Sequence, residues 1–188
     1  MMQRTLTFGA VAGVFVLVHA KEAPTDPEWE AWMNFWAEQT YRQAGRMRQL
    51  VITAGGAPTA AQRQRMTERF RVEQSRWVEL WASRGSHPPE QARVAVVTES
   101  LFVRGVVNAL EALRRDGWFV GKVYRALVHP GAGVPGYRAF SATEMGRALG
   151  WLDVPSGTEV ELLRKVEELR MELRDTNELR VDLDRRSP

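Results

Sequence analysis

Three histidines, one serine at a strand end and one glycine-rich loop are the residues of this 188-residue chain best suited to chemistry. His19, His87 and His129 lie far apart, and no His-x-x-x-His pair or comparable spacing points to zinc. No acidic cluster has the pattern of a calcium loop. Cysteine is absent, which excludes disulfides, thiolate metal ligands and thiol nucleophiles and leaves the redox compartment open. The stretch Gly131 to Gly136 lacks both the lysine of a phosphate-binding loop and the helix that follows a dinucleotide fingerprint, so it reads as a connector. Ser100 follows a strand and opens a helix, with Thr98 and Arg104 beside it. Open α/β sheets hold ligands at such carboxyl ends of strands. No glycine-flanked elbow surrounds Ser100, which therefore reads as a helix cap. The expectation is a chain with no catalytic residue, no metal site and no cofactor. An enzyme would need a titratable pair in a pocket near Glu99, His19 or His129.

Composition sets the frame around these residues. With 44% hydrophobic and 26% charged residues, the chain has the make-up of a globular domain, with room for one domain and an appendage. The net charge of +3 hides a basic middle: residues 61–138 carry 13 basic and 7 acidic side chains. Acids such as Glu68, Glu73 and Glu79 interrupt that stretch, so it reads as a solvated helix face and no nucleic-acid partner is expected.

The amino terminus admits two readings. Arg4, the apolar run from Leu6 to Val18 and the ending Val18-His19-Ala20 resemble an export signal. Alternatively, Thr5-Leu6-Thr7-Phe8 alternates, Gly13 breaks the run, and Val14 to Val18 is a β-branched and aromatic strand. The strand reading is adopted, and a cytoplasmic location follows from it. The run is too short for a bilayer, which takes ~20 residues, so no stable membrane insertion is expected.

Strands and helices then alternate. Thr25 or Asp26 caps a helix with Pro27 in its first turn, and Trp29, Trp32, Met33 and Trp36 form its apolar stripe. Gln49 to Thr53 is a strand, and Thr59 caps a second helix with Met66, Phe70, Trp77 and Trp81 roughly on one side. That helix is long: either its far end projects, offering Trp77, Leu80 and Trp81 to a partner, or it folds back onto the body. Arg93 to Thr98 is the clearest strand, apolar throughout Val94 to Val97, as expected where a sheet is covered on both faces. A third helix runs from about Ser100 to Arg115 with Phe102 or Val103, Val106, Ala109, Leu110 and Leu113 inward. Tyr137 to Phe140 is a last short strand, and Ser141 with Glu144 forms a capping box before a final short helix. The fold class is α/β, a small and mostly parallel sheet flanked by helices.

Four segments carry a resemblance: Val14 to Ala20 followed by Pro24-Thr25-Asp26-Pro27-Glu28-Trp29; Thr53 to Arg63; Val94 to Ser100 with Val103-Arg104-Gly105; and Arg138-Ala139-Phe140-Ser141. Together they resemble bacterial STAS-like domains, named for sulfate transporters and anti-sigma-factor antagonists. The resemblance spans roughly residues 5 to 153 and rests on element order and short strings. It implies a sheet flanked by helices and a role in binding other proteins. The family's regulatory branch carries an Asp-Ser pair whose serine is phosphorylated; this chain has Gly55-Gly56-Ala57-Pro58-Thr59 there. Thr59, the nearest hydroxyl, reads as a helix cap.

The tail, residues 154–188, reads as a separate amphipathic helix after a domain spanning 1–153. Leu162, Val166, Leu169 and Leu173 recur at the a/d spacing of a coiled coil, and the seam weakens at Thr176 and Arg180. Such an edge must be covered by its own domain, by a second copy or by another protein. The expectation is a non-enzymatic protein-interaction or regulatory scaffold module. It would act through its long second helix and tail, with a protein partner or a homo-oligomer formed through the C-terminal helix. The alternative is a small-ligand-binding module holding an apolar or anionic molecule near Thr98, Ser100 and Arg104.

Overall fold

The computed structural model describes residues 4–43, 47–83, 93–115 and 136–186. Its strands are β1 (Leu6–Val11), β2 (Val14–His19), β3 (Arg48–Thr53), β4 (Arg93–Thr98) and β5 (Gly136–Phe140). They form one sheet in the order β1-β2-β3-β4-β5, antiparallel between β1 and β2 and parallel elsewhere. Helices α1 (Asp26–Arg42), α2 (Ala60–Ser83) and α3 (Leu101–Arg115) connect the parallel strands. A 3-10 turn (Ala142–Glu144), α4 (Met145–Trp151) and α5 (Glu159–Arg186) follow the last strand. The α/β expectation, with a mostly parallel sheet, is the fold observed.

The first twenty residues form a hairpin. Ala12 and Gly13 both have positive φ, 50° and 77°, and Val11 pairs with Val14 across them. Two left-handed residues match the twist of a two-residue hairpin, which suits glycine and strains alanine. β2 is buried at all six positions, so both of its faces are core.

Strand order decides how the faces are covered. Each crossover from β2 to β5 moves one strand in the same direction, and a constant crossover hand then leaves all connecting helices on one face. Accordingly α1, α2 and α3 share one core with Phe15, Leu17, Val94 and Val96. The opposite face, with Val14, Val16, Val18, Leu50, Ile52, Ala95 and Val97, is equally apolar. α4 and α5 cover it.

The tail is therefore a layer of the body, which corrects the expectation of an appendage after residue 153. Leu162, Val166, Leu169 and Leu173 are all buried against that second face, together with Leu149 and Leu152. Each such side chain contributes about 2 kcal/mol by leaving water. A coiled coil with a second chain would gain the same area but lose ~4–15 kcal/mol of translational and rotational freedom, so the intramolecular contact wins. Polar contacts set the register of α5 on the hairpin. The Thr7 hydroxyl donates to the Leu169 carbonyl at 3.0 Å, and Arg4 pairs with Glu172. The Lys165 stem crosses β1 over Gly9, where a Cβ would stand 2.6 Å from Lys165 Cε.

On the first face, Trp29, Trp32, Met33 and Trp36 are buried, as their spacing predicts. Thr25 is the cap of α1, in a reciprocal box with Glu28. The helix caps at Thr59 and Ser100 also form as expected: the Gln62 N–H donates to Thr59 Oγ1 at 3.2 Å and the Val103 N–H to Ser100 Oγ at 3.3 Å. Glu144 accepts from the Ser141 N–H at 3.0 Å. Buried Gln62 ties the starts of the first two helices together, donating to the Pro24 carbonyl and to Asp26 Oδ1.

The phase of α3 differs from the expected one. Val107 is buried and Val103 packs against the first core, while Phe102, Val106 and Ala109 face outward. Leu110 and Leu113 side chains lie outside the described residues. Two apolar stripes run along this helix, 102-106-109 and 103-107, and periodicity alone does not choose between them. The turn after β4 chooses, because Thr98 Oγ1 accepts from the Ser100 N–H at 3.1 Å and starts the helix at Leu101.

Candidate functional site

Three regions were expected to act, and the structure places them differently. The Trp77 end of α2 is internal. Trp77 is 4% exposed and sits in an aromatic cluster with Trp36 and Phe70, ring centroids 5.8 and 5.6 Å away. Leu80 is half-buried, and the Trp81 side chain lies outside the described residues. The second expected surface, Leu162 to Leu173 on α5, is the second core. Trp77 and the four tail residues are thus structural, and the recruiting surfaces drawn from them are withdrawn. Of the two readings left open for this end of α2, the folded-back one holds; sequence pattern could not choose because Glu73 interrupts the apolar stripe of α2. That carboxylate is 1% exposed, held by Arg76 at 3.1 Å and Arg69 at 3.2 Å on the same helix.

A groove of about 690 Å³ runs between α1 and α2, with Asn34, Tyr41, Arg69, Glu73, Arg76 and Glu79 among its walls. Within it Glu73 is paired with Arg69 and Arg76, and Glu38 with Arg42.

The third region is the carboxyl end of the parallel strands. His19, Thr53 and Thr98 are in register across β2, β3 and β4, and all three are buried. The hydroxyls serve the backbone: Thr53 donates to the Gly56 carbonyl at 2.9 Å, Thr98 supports the turn into α3, and Ser100 caps it. Arg104 is half-buried beside them, its Nε without a partner among the described residues. The structure thus brings Thr98, Ser100 and Arg104 together and commits both hydroxyls to local turns. Hydrogen bonds from Ser141, with the nearby charges of Arg147 and Arg104, hold the Glu144 carboxyl below its ordinary range.

His19, one of the residues weighed for a titratable pair, ends β2. Burial lowers its pKa to about 4, outweighing the nearby Glu28 carboxylate, which raises it. Its ring lies 6.3 Å from that of Trp29, and Nδ1 has no partner among the described residues. Burial raises the Glu28 carboxyl, but hydrogen bonds from the N–H and hydroxyl groups of Thr25 and Thr5 bring it below its ordinary value. His87 and His129 lie outside the described residues. Among the described residues no three His, Asp or Glu side chains are placed to hold a metal ion.

What the structure does expose is the outer side of α3. Leu101 and Phe102 are 77% and 79% exposed, Val106 is 44% exposed, and Gly105, Asn108 and Ala109 lie open between them. No charged side chain interrupts this side over two turns. No helix among the described residues is long and apolar enough to cross a membrane. No family model, curated protein or solved structure matches the chain.

Proposed function

We propose that the chain is a non-enzymatic protein-interaction module, a regulatory scaffold of the STAS-like kind, whose contact surface is the outer side of α3. One observation carries this reading. Two adjacent large apolar side chains, Leu101 and Phe102, stand about four-fifths in water on a helix whose opposite side is core. Scattered apolar residues on a surface are ordinary, but a contiguous uncharged patch along a helix marks a contact site. The hairpin followed by alternating helices and parallel strands supports the family reading, whose members mostly bind proteins. Burial of β2 on both faces supports retention of residues 6–19 in the working protein, and with it a cytoplasmic location. The ligand-binding alternative near Thr98 and Ser100 loses ground because both hydroxyls already serve the backbone.

A photo-crosslinking amino acid placed at position 102 tests the reading in cells. The expected result is a discrete adduct to a protein, absent when the same group replaces Glu68 on the exposed side of α2. Identical background at both positions would overturn it.

A further inference from the structure

We propose that the groove between α1 and α2 binds a small organic monoanion, a carboxylate on an apolar or aromatic body. Arg69 and Arg76 hold the anion, and Glu73 positions the two arginines. The site is separate from the α3 surface and stands or falls without it. The first argument is the buried acid. The Glu73 side chain is 1% exposed yet forms part of the wall of a groove of about 690 Å³, a volume typical of small-molecule sites. Position 73 lies between Phe70 and Trp77 in helical phase, so an apolar residue there would continue the core stripe of α2. Packed apolar side chains stabilise a fold as well as a buried ion pair does, or better. Stability alone therefore gives no reason for this carboxylate.

The second argument is what the carboxylate does to its partners. It holds Arg76 at 3.1 Å and Arg69 at 3.2 Å, each guanidinium by one edge. Both side chains line the groove and stay 42% and 58% exposed, Arg69 first. Arg69 also reaches Asn34 Oδ1 at 3.5 Å, while its buried Nε has no aligned hydrogen bond among the described residues. A guanidinium has five N–H donors, so each arginine keeps several for a ligand. Because one edge is already anchored, less side-chain freedom is lost when an anion arrives. Charge then chooses the ligand. Two guanidiniums and one carboxylate leave a single net positive charge, and Arg42 neutralises Glu38. Glu79 on the same wall opposes a second negative charge, so a planar carboxylate fits better than a phosphate dianion. Ala37, Leu80 and the half-exposed Tyr41 ring offer the apolar wall for its body.

Benzoate is the probe, titrated calorimetrically into the full chain beside neutral benzamide and phenyl phosphate. Benzoate should bind saturably at one site, phenyl phosphate more weakly and benzamide not at all. Arg76→Met, at an exposed position, should weaken benzoate about tenfold or more, the worth of one charge-assisted hydrogen bond. Glu73→Leu separates positioning from charge. It should weaken benzoate while leaving the urea midpoint equal or higher, whereas simple loss of a negative charge would tighten binding. Glu73→Gln, which still accepts a hydrogen bond, should recover part of the affinity. No saturable binding of benzoate, or an affinity unchanged in Arg76→Met, would overturn the site. Benzamide binding as well as benzoate, or phenyl phosphate binding more tightly, would overturn the monoanion, and tighter binding in Glu73→Leu would overturn the role of Glu73.

Discussion

α3 and α5 each carry an apolar stripe, and the two stripes meet opposite fates. On α5 the leucine seam lies on the sheet and is nearly inaccessible to water. On α3 one stripe is core and the next, rotated by about 100°, stands in solvent. Neither fate is written in the helix itself. The sheet has two apolar faces, and its sequential strand order sends α1, α2 and α3 to the same one. The second face then requires cover from outside the β-α repeat, and α5 supplies it. α3 meets a sheet that needs only one of its sides. An apolar stripe is therefore a demand for cover, and the vacancy elsewhere in the fold decides whether the chain or a partner answers it.

The largest test of this contrast is a charge placed on each stripe. Leu169→Asp buries an unpaired carboxylate in the second core and is expected to cost about 3–5 kcal/mol, read by urea unfolding. Phe102→Asp should stay within about 0.5 kcal/mol of the parent. Similar effects at the two positions would break the contrast.

The face of the sheet under α1 hides a titrating group, and the exposed side of α3 has none. His19 has a folded pKa of about 4 against an ordinary 6.5, so the unfolded chain binds the extra proton between those values. Stability is fully present above pH 6.5 and falls as the pH drops toward 4, by up to about 3 kcal/mol. Below that range the lowered Glu28 carboxyl adds to the loss, since the folded state resists its protonation. His19→Phe is expected to flatten the upper part of this profile in thermal melts at stepped pH. An unchanged profile would mean that the ring is hydrated in solution.

Smaller effects sharpen the local picture. Thr25→Ala removes the cap of α1 and should cost about 1 kcal/mol. Ala12→Asn, at φ 50°, should gain a few tenths of a kcal/mol, because asparagine tolerates the left-handed region of this hairpin better.

What the sequence made legible was local. The caps at Thr25, Thr59 and Ser141, the tryptophan stripe of α1 and the alternation of strands depend on residues a few positions apart. The phase of α3 and the fate of α5 depend on which sheet face lies open, a property of the whole topology. The clue was present in the uninterrupted run Val94 to Val97, which implies two covered faces. Counting helices per face would have assigned Leu162 to Leu173 to the core. The exposed side of α3 carried a signal too: Gly105 between Phe102 and Ala109 in a helix with two apolar stripes.

The most direct test compares the intact chain with one ended at Ser156, following unfolding in urea by tryptophan fluorescence and circular dichroism together. With α5 as the cover of the second face, the shortened chain should lose its cooperative transition or aggregate through Val14, Val16 and Leu50. A shortened chain that unfolds cooperatively at the same midpoint would make the tail an appendage after all, with its leucine seam left to be covered from outside the domain.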